Sequence, residues 1–206
     1  MENFNVNQEQ LDALKEISNI GAGNAATALS QLLGKRVEVN IPQIRLIPFN
    51  EIKSSDFFIK PEELGIAVSL RILGKLTGGI MVLYPHKSAL LMIDILTNRA
   101  IGTTELFTVM DESALMESAH IICCSYLNAV GEFLGLYQLV PSITEVAMDK
   151  VDKLSQVMMR RFIGENINYI LPIENHLVIQ DVELSLFVIF LLESESLQKI
   201  LKIAGL

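Results

Sequence analysis

Acidic and amide side chains recur at a fixed spacing near the start of the chain. Asp12, Glu16 and Asn19 stand at positions i, i+4 and i+7 within a long apolar pattern. On a helix these positions share one face and form a stripe about 10 Å long. An amide can orient a water molecule through hydrogen bonds, which helps when the substrate is already reactive, as acyl phosphates are. A carboxylate can anchor a lysine of a partner protein.

The same spacing returns about a hundred residues later. Ser113, Glu117 and His120 repeat it after a shift of 101 residues, with a histidine in place of Asn19. We therefore predict two related site-bearing helices, the second one altered. A histidine ring differs from an amide in reach and shape, and it titrates near physiological pH. The alternative for either stripe is an ordinary solvated helix face.

Two glycines, Gly21 and Gly23, follow Asn19 inside the helical pattern. Each costs a helix interior roughly 1 kcal/mol relative to alanine, which indicates close approach of another backbone. A neighbouring helix of this chain and a docking protein are both possible explanations. Ile17 and Ile20 are expected to point away from the stripe, towards the core.

Composition and charge limit the class of protein. The chain has 206 residues, 50% of them apolar, and a net charge of −8, which indicates a folded protein and argues against nucleic-acid binding. No apolar run approaches the roughly 20 residues that span a bilayer, and the N-terminus lacks the features of a signal peptide. We expect a cytoplasmic protein without membrane insertion. Cys123 and Cys124 are expected to be buried apolar residues, not metal ligands or a disulfide.

The periodicity of apolar residues predicts helix, strand, hairpin and helix, and then the same order again. In the first half the predicted elements are a helix over 8–33 that stops at Gly34, a strand over 36–47, hairpin strands over 63–73 and 76–84, and a helix over 86–97. In the second half they are a short helix over 104–110, a long helix over 111–134 with Asp111 as N-cap, a strand over 138–148, a short helix over 151–162, hairpin strands over 166–179 and 182–192, and a closing helix over 193–204.

This repetition predicts an α+β fold with pseudo-twofold symmetry. The hairpins favour an antiparallel sheet, on one face of which the two long helices lie side by side. No linker or low-complexity tract interrupts the sequence. We therefore expect a single domain over 1–206, made of similar halves at about 1–100 and 101–206.

The first stripe resembles the signature of the CheC-type phosphatases of bacterial chemotaxis, the family of CheC, CheX and FliY. Asp12, Glu16 and Asn19 match that signature, and so does Pro42 after 22 further residues. The resemblance covers essentially the whole chain, including the doubled architecture. It implies removal of the phosphoryl group from the aspartate of CheY, a response regulator. Glu16 would contact a lysine of the regulator and Asn19 would position the attacking water.

The resemblance implies smaller roles for the other motif residues. Asp12 and Ser113 open the two motifs without an assigned role, and Pro42 would shape the entry of a strand. The Mg²⁺ ion would belong to the regulator, so we expect no cofactor of this protein's own. Glu117 and His120 would form a degenerate second site, weak or inactive in catalysis, at which Glu117 still supports docking.

The segment between the halves is a second candidate for binding. CheC proteins also bind the receptor deamidase CheD through a short helix at this place. The corresponding residues here are Thr104, Glu105, Leu106, Phe107 and Met110. An ordinary connector is the alternative. A noncatalytic adaptor that binds CheD or the regulator is therefore the second functional hypothesis.

Overall fold

This computed structural model describes residues 7–41, 43–57, 59–136, 139–142, 144–161 and 167–203. These residues form five α-helices, two short 3₁₀ helices (Phe49–Glu51 and Ser54–Phe57) and eight strands. The helices are α1 (Gln8–Leu33), α2 (His86–Leu96), α3 (Val109–Phe133), α4 (Val151–Arg161) and α5 (Ser194–Ile203). The strands are β1 (Val37–Asn40), β2 (Ile47–Pro48), β3 (Leu64–Gly74), β4 (Gly78–Pro85), β5 (Leu139–Pro141), β6 (Glu145–Lys150), β7 (Ile167–Ile179) and β8 (Val182–Glu193). Both predicted hairpins and both long helices are confirmed. Within the described ranges, no helix is long and apolar enough to cross a membrane.

The strands form one antiparallel sheet in which the two halves exchange their first strands. The path along the sheet is β1–β7–β8–β4–β3–β5, with β2 joined to β7 and β6 joined to β3. Strand β1 of the first half thus pairs with the hairpin of the second, while β5 and β6 pair with the hairpin of the first. The hairpins meet at the centre, where Val82 lies opposite Val188. This arrangement confirms the predicted pseudo-twofold repeat.

Helices cover both faces of the sheet and enclose two cores. The larger core lies between the sheet and α1, α2, α3 and α5, and the smaller one lies beneath α4. Neighbouring residues of a strand point to opposite faces. Val188 therefore enters the larger core, while Phe187 enters the smaller one beside Leu154 of α4.

The two long helices lie side by side, as predicted, and a glycine permits their close contact. A Cβ atom at Gly21 would lie only 2.6 Å from Cδ1 of Tyr126 on α3. The hydroxyl of Tyr126 donates to Oδ1 of Asn175 at 2.6 Å, which fixes the ring in place. Each long helix is followed by a glycine with a left-handed φ of 61°, Gly34 after α1 and Gly135 after α3. Such a residue is a common helix stop, and the symmetry of the halves extends to it.

The strands expected over 36–47 and 138–148 are both interrupted, so these two predictions are wrong in detail. Asn40 at the end of β1 pairs with His176 of β7, and Ile44 pairs with Ile173 of β7. The first segment therefore has one residue more between its paired positions than β7 has. The second half shows the same extra residue between β5 and β6, opposite β3. An extra residue leaves the hydrogen-bonded ladder as a bulge. Alternation of apolar residues does not reveal it.

The start of α3 also differs from the sequence prediction. The helix expected over 104–110 does not form, and these residues are an irregular connector until α3 begins at Val109. The N-cap is Thr108, not Asp111. Oγ1 of Thr108 accepts from the backbone N of Asp111 at 3.3 Å, and the Asp111 carboxylate accepts from the backbone N of Thr108 at 3.0 Å. Asp111 therefore closes a capping box from its third helical position.

Candidate active site

Glu16 and Asn19 lie on the exposed face of α1, one turn apart. The helix begins at a capping box, in which Oδ1 of Asn7 accepts from the backbone N of Gln10 at 2.8 Å and Oε1 of Gln10 accepts from the backbone N of Asn7 at 3.0 Å. Leu14 is buried on the opposite side of α1. Because 3.6 residues complete a turn, the cap and the buried side together determine which side chains face outward.

The Glu16 carboxylate and the Asn19 amide are unengaged: within the described part of the chain, neither has a hydrogen bond or an ion pair. Asp12, one turn earlier, is occupied. Its Oδ1 accepts from Nε2 of Gln8 at 3.0 Å and pairs with Nζ of Lys15 at 3.1 Å. The predicted stripe is therefore present, and its second and third members are available to a partner.

The residues beside the stripe differ from expectation at one position. Ile17 is buried as expected, but Ile20 is 40% exposed, so the prediction that Ile20 points to the core is wrong. Ile20 lies about 100° around the helix from Gly21, and Gly21 is where α1 contacts α3. That rotation carries Ile20 out of the helix interface. Pro42 of the signature lies outside the described residues.

Glu117 and His120 line a shallow depression beside α3. Its volume is about 460 Å³, and it is lined by Ser113, Met116, Glu117, His120, Ser142 and Thr144. Glu117 is exposed and, among the described residues, has neither a hydrogen bond nor an ion pair, as is the case for Glu16. The second stripe is thus also present, and its carboxylate is equally available.

The ring of His120 is engaged at both nitrogens, unlike the amide of Asn19. Nε2 lies 3.4 Å from Sγ of Cys124, one turn further along α3, and Nδ1 lies 3.4 Å from Oγ1 of Thr144. Thr144 stands in the interrupted segment just before β6. The sequence interpretation missed both contacts. The i, i+4 spacing of His120 and Cys124 was the only signal for either contact.

Of the two cysteines, only Cys123 is buried as expected, while Cys124 is partly exposed. Burial, together with the neighbouring carboxylate of Glu117, raises the pKa of the Cys124 thiol. The thiol therefore stays neutral at physiological pH. Among the described residues, no three His, Cys, Asp or Glu side chains are grouped so as to hold a metal ion.

Buried carboxylates hold the connector between α2 and α3 in an irregular conformation. The Asp94 carboxylate accepts from the backbone N of Gly102 at 2.6 Å, of Thr103 at 3.2 Å and of Thr104 at 3.1 Å. These bonds direct the chain away from a helix. Burial alone would raise the pKa of Asp94, but the hydrogen bonds from Thr104, Gly102 and Thr103 outweigh it and lower this pKa below its usual value.

An ion pair between an exposed arginine and a buried carboxylate fixes the start of α3. Nη1 of Arg99 lies 2.8 Å from Oδ1 of Asp111, whose side chain has no exposed surface. Burial would raise the pKa of Asp111, but hydrogen bonds from Thr108 and the charge of Arg99 lower it. Sequence reasoning missed this pair, because nothing in the spacing indicates that the connector folds back onto the helix.

The candidate partner-binding residues of the connector fall into two groups. Thr104 is buried and bonded to Asp94, and Phe107 is partly buried against the larger core. Leu106 is 81% exposed and Met110 71% exposed. Four exposed apolar side chains lie in and around this group: Ile101, Leu106, Val109 and Met110. With the exposed acid Glu105, they make up the apolar surface of the connector.

Together, the fold and the site define a pseudo-twofold α+β protein that presents a carboxylate and an amide on one long helix. A profile of the CheC-like family matches residues 9–44, the segment that contains Glu16 and Asn19. The CheY-P phosphatase CheC of Bacillus subtilis (strain 168) is 31% identical over 181 residues, which is 87% of this chain and 81% of that protein. The chain belongs to the CheC-like family.

Two further comparisons agree with this assignment. The flagellar motor switch phosphatase FliY of Bacillus subtilis (strain 168) is 30% identical over 91 residues, which is 44% of this chain and 23% of FliY. The crystal structure of Thermotoga maritima FliY superposes with a TM-score of 0.79 at 20% identity, covering 97% of this chain and 98% of that one. At this identity the superposition confirms the fold alone.

Proposed function

We propose that this protein is a phosphatase that hydrolyses the aspartyl phosphate of a CheY-type response regulator. The observation that carries the proposal is the pair Glu16 and Asn19, exposed one turn apart on α1 and unengaged within the described part of the chain. Membership of the family supports it, since the relative CheC of Bacillus subtilis is a CheY-P phosphatase.

In this proposal Asn19 orients the attacking water. The water oxygen adds to phosphorus, the bond between phosphorus and the aspartyl oxygen breaks, and inorganic phosphate and a free carboxylate result. The amide accepts a hydrogen bond through Oδ1 and donates one through Nδ2, but it does not remove a proton at neutral pH. Its contribution is therefore positioning. The Mg²⁺ ion that offsets the phosphoryl charge is carried by the regulator.

Glu16 anchors the regulator by pairing with a lysine of its docking surface. An ion pair on an open surface contributes at most about 1 kcal/mol, but exclusion of water at an interface strengthens it and fixes the register of the two proteins. Register matters here, because Asn19 is only one turn away and must reach the phosphoryl group. Glu117 is equally free, so we assign docking to the second site and catalysis to the first.

The direct test follows the loss of phosphoryl label from purified phosphorylated CheY of the same organism. Catalytic amounts of the wild-type protein should accelerate this loss, and Asn19→Ala should abolish most of the acceleration. A wild-type protein that leaves the half-life of the phosphorylated regulator unchanged would contradict the phosphatase proposal.

A noncatalytic adaptor is the second candidate function, and the apolar surface of the connector favours it. Leu106 and Met110 are the most suitable anchors for a partner such as CheD, because they are largely exposed and apolar. Titration calorimetry with purified CheD tests this. The double variant Leu106→Ser, Met110→Ser should bind at least tenfold more weakly, while an unchanged affinity would exclude this surface as the CheD site.

A further inference from the structure

Gly23 lies on the same face of α1 as the proposed catalytic pair and has no packing role. A Cβ atom built at Gly23 meets nothing within 4 Å, in contrast to Gly21, where it would lie 2.6 Å from the ring of Tyr126. At about 100° per residue, Gly23 projects between Glu16 and Asn19 when the helix is viewed along its axis. The fold of the chain itself therefore explains the glycine at 21 but not the one at 23.

Glycine is among the least favourable residues in a helix interior, because its backbone loses the most freedom on ordering. An exposed position without neighbours would accept alanine at no steric cost and with a gain in stability. A glycine at such a position therefore indicates a requirement that the isolated protein does not show. Its place on the same helix face as two unengaged polar side chains, one turn after Asn19, puts that requirement in the proposed site.

The second half supplies an independent comparison. The shift of 101 residues places Gly23 on Cys124 and Asn19 on His120. There the side chain at the equivalent position is present, and its Sγ lies 3.4 Å from Nε2 of His120. A side chain at this position thus covers the helix surface and engages the polar group one turn earlier. The bare surface at Gly23 leaves Asn19 unengaged.

We propose that Gly23 is a positioning residue for the reaction with the response regulator, an inference that rests on the proposed phosphatase function. The missing side chain lets main chain of the regulator approach α1 closely one turn beyond Asn19, on the face that carries Glu16 and Asn19. In one docked position, Glu16 can then contact the lysine of the regulator while Asn19 reaches the phosphoryl group. The ligand of this surface is a backbone segment of the regulator beside its phosphorylated aspartate.

The test compares Gly23→Ala and Gly23→Leu with the wild type in steady-state dephosphorylation and in thermal unfolding. Tm should rise by about 2–4 °C for Gly23→Ala, because alanine favours the helix. KM for the phosphorylated regulator should nevertheless rise about tenfold in Gly23→Ala and further in Gly23→Leu, because each side chain holds the regulator away from α1. A merely structural role would not raise stability and KM together.

Two controls separate this effect from general changes in α1. Asn24→Ala alters an exposed residue about 100° around the helix from Gly23, and it should leave KM unchanged. Gly21→Ala should lower Tm through its clash with Tyr126. If both Gly23 variants keep the wild-type KM while the wild type is active, the inference is overturned and the phosphatase function stands. A wild type without activity overturns both.

Discussion

The exposed faces of α1 and α3 carry polar residues at the same spacing. They differ in whether the third residue, Asn19 or His120, is held by contacts within the protein. In α1 the amide of Asn19 is unengaged among the described residues, and the surface one turn later is bare at Gly23. In α3 the ring of His120 lies between Cys124 and Thr144. The carboxylates of both faces are exposed. The repeat thus keeps an exposed carboxylate in both halves, but its neighbour is free of contacts only in the first.

Under the proposed function, the difference would explain how a repeated fold acquires one catalytic face and one docking face. A docking carboxylate needs only exposure, whereas a water-positioning group must leave its own protein and reach a second active site. Contacts at both ring nitrogens hinder that movement even before the chemistry of the ring is considered. A histidine could also donate a hydrogen bond to water. Mutation can therefore separate the effect of the contacts that hold His120 from the effect of having a histidine in place of an asparagine.

The largest effect is expected from removing the amide of the first face. Asn19→Ala should lower the rate of regulator dephosphorylation about hundredfold, comparable to the loss of one positioning or electrostatic group in other enzymes. Glu117→Ala, at the second face, should reduce the rate by no more than about threefold. Both rates follow from the decay of label on the phosphorylated regulator. Equal losses at the two faces would show that the histidine face is catalytically competent.

The starts of α1 and α3 provide a second contrast, between an ion pair that is exposed on both sides and one whose carboxylate is buried. Arg99→Met leaves the buried Asp111 carboxylate without its cation and should cost about 2 kcal/mol of unfolding free energy at pH 7. The matched change Lys15→Met removes an exposed pair with Asp12 on α1 and should cost less than about 0.5 kcal/mol. Urea unfolding of both variants measures the two costs.

The pH dependence of stability should follow the two buried carboxylates that hold the connector between α2 and α3. The pKa values of Asp94 and Asp111 are lowered in the folded protein. The stability that these two carboxylates contribute is therefore complete above the unfolded-state pKa of about 3.9. It is lost as pH falls from that value through their folded-state pKa values. The cost of Arg99→Met should shrink in the same range, since a protonated Asp111 no longer needs its partner. A cost that is constant down to pH 3 would contradict this account.

Most of the fold follows from local patterns, and the exceptions have a common physical cause. Gln8–Leu33 was predicted with both of its ends, because an apolar stripe and a terminal glycine are properties of neighbouring residues. The exchange of β1 and β5 between the halves was not predictable, since pairing depends on residues far along the chain. The expected helix over 104–110 fails because a side chain outside that segment competes for backbone donors. The carboxylate of Asp94 takes the N–H groups of the connector's first residues.

The candidate site shows the same division. The stripe of Glu16 and Asn19 needed only helical spacing, and it is present as predicted. The restraint on His120 needed Thr144, which lies 24 residues further along the chain. The exposure of Ile20 depended on where α3 packs against α1. Sequence therefore identified the polar groups, while tertiary contacts decided which of them are free.

Giving α3 the residues of α1 tests whether the second face is limited by the contacts that hold His120 or by the chemistry of its ring. In an Asn19→Ala background, the double change His120→Asn, Cys124→Gly should recover about tenfold in rate, or about 1.4 kcal/mol of barrier. His120→Asn alone should recover less, because the side chain of Cys124 still occupies the helix surface. Dephosphorylation assays at saturating regulator measure each step. If His120→Asn alone restores the full rate, the contact with Cys124 has no restraining role.

The smallest expected effect concerns the helix caps. Asn7→Ala removes an exposed side-chain cap of α1 and should cost about 1 kcal/mol. This cost should not vary with pH, because neither Asn7 nor Gln10 titrates.

Thr108→Ala removes the equivalent cap of α3, but it also removes the hydrogen bond that Oγ1 of Thr108 donates to the Asp111 carboxylate at 2.7 Å. The folded-state pKa of Asp111 should then rise towards its ordinary value, so the variant should lose less stability to acid than the wild type, and the cost of Thr108→Ala should shrink as pH falls below about 3.9. Unfolding measured between pH 3 and pH 7 distinguishes the two caps, and parallel pH profiles would show that the buried carboxylate is not coupled to the start of α3.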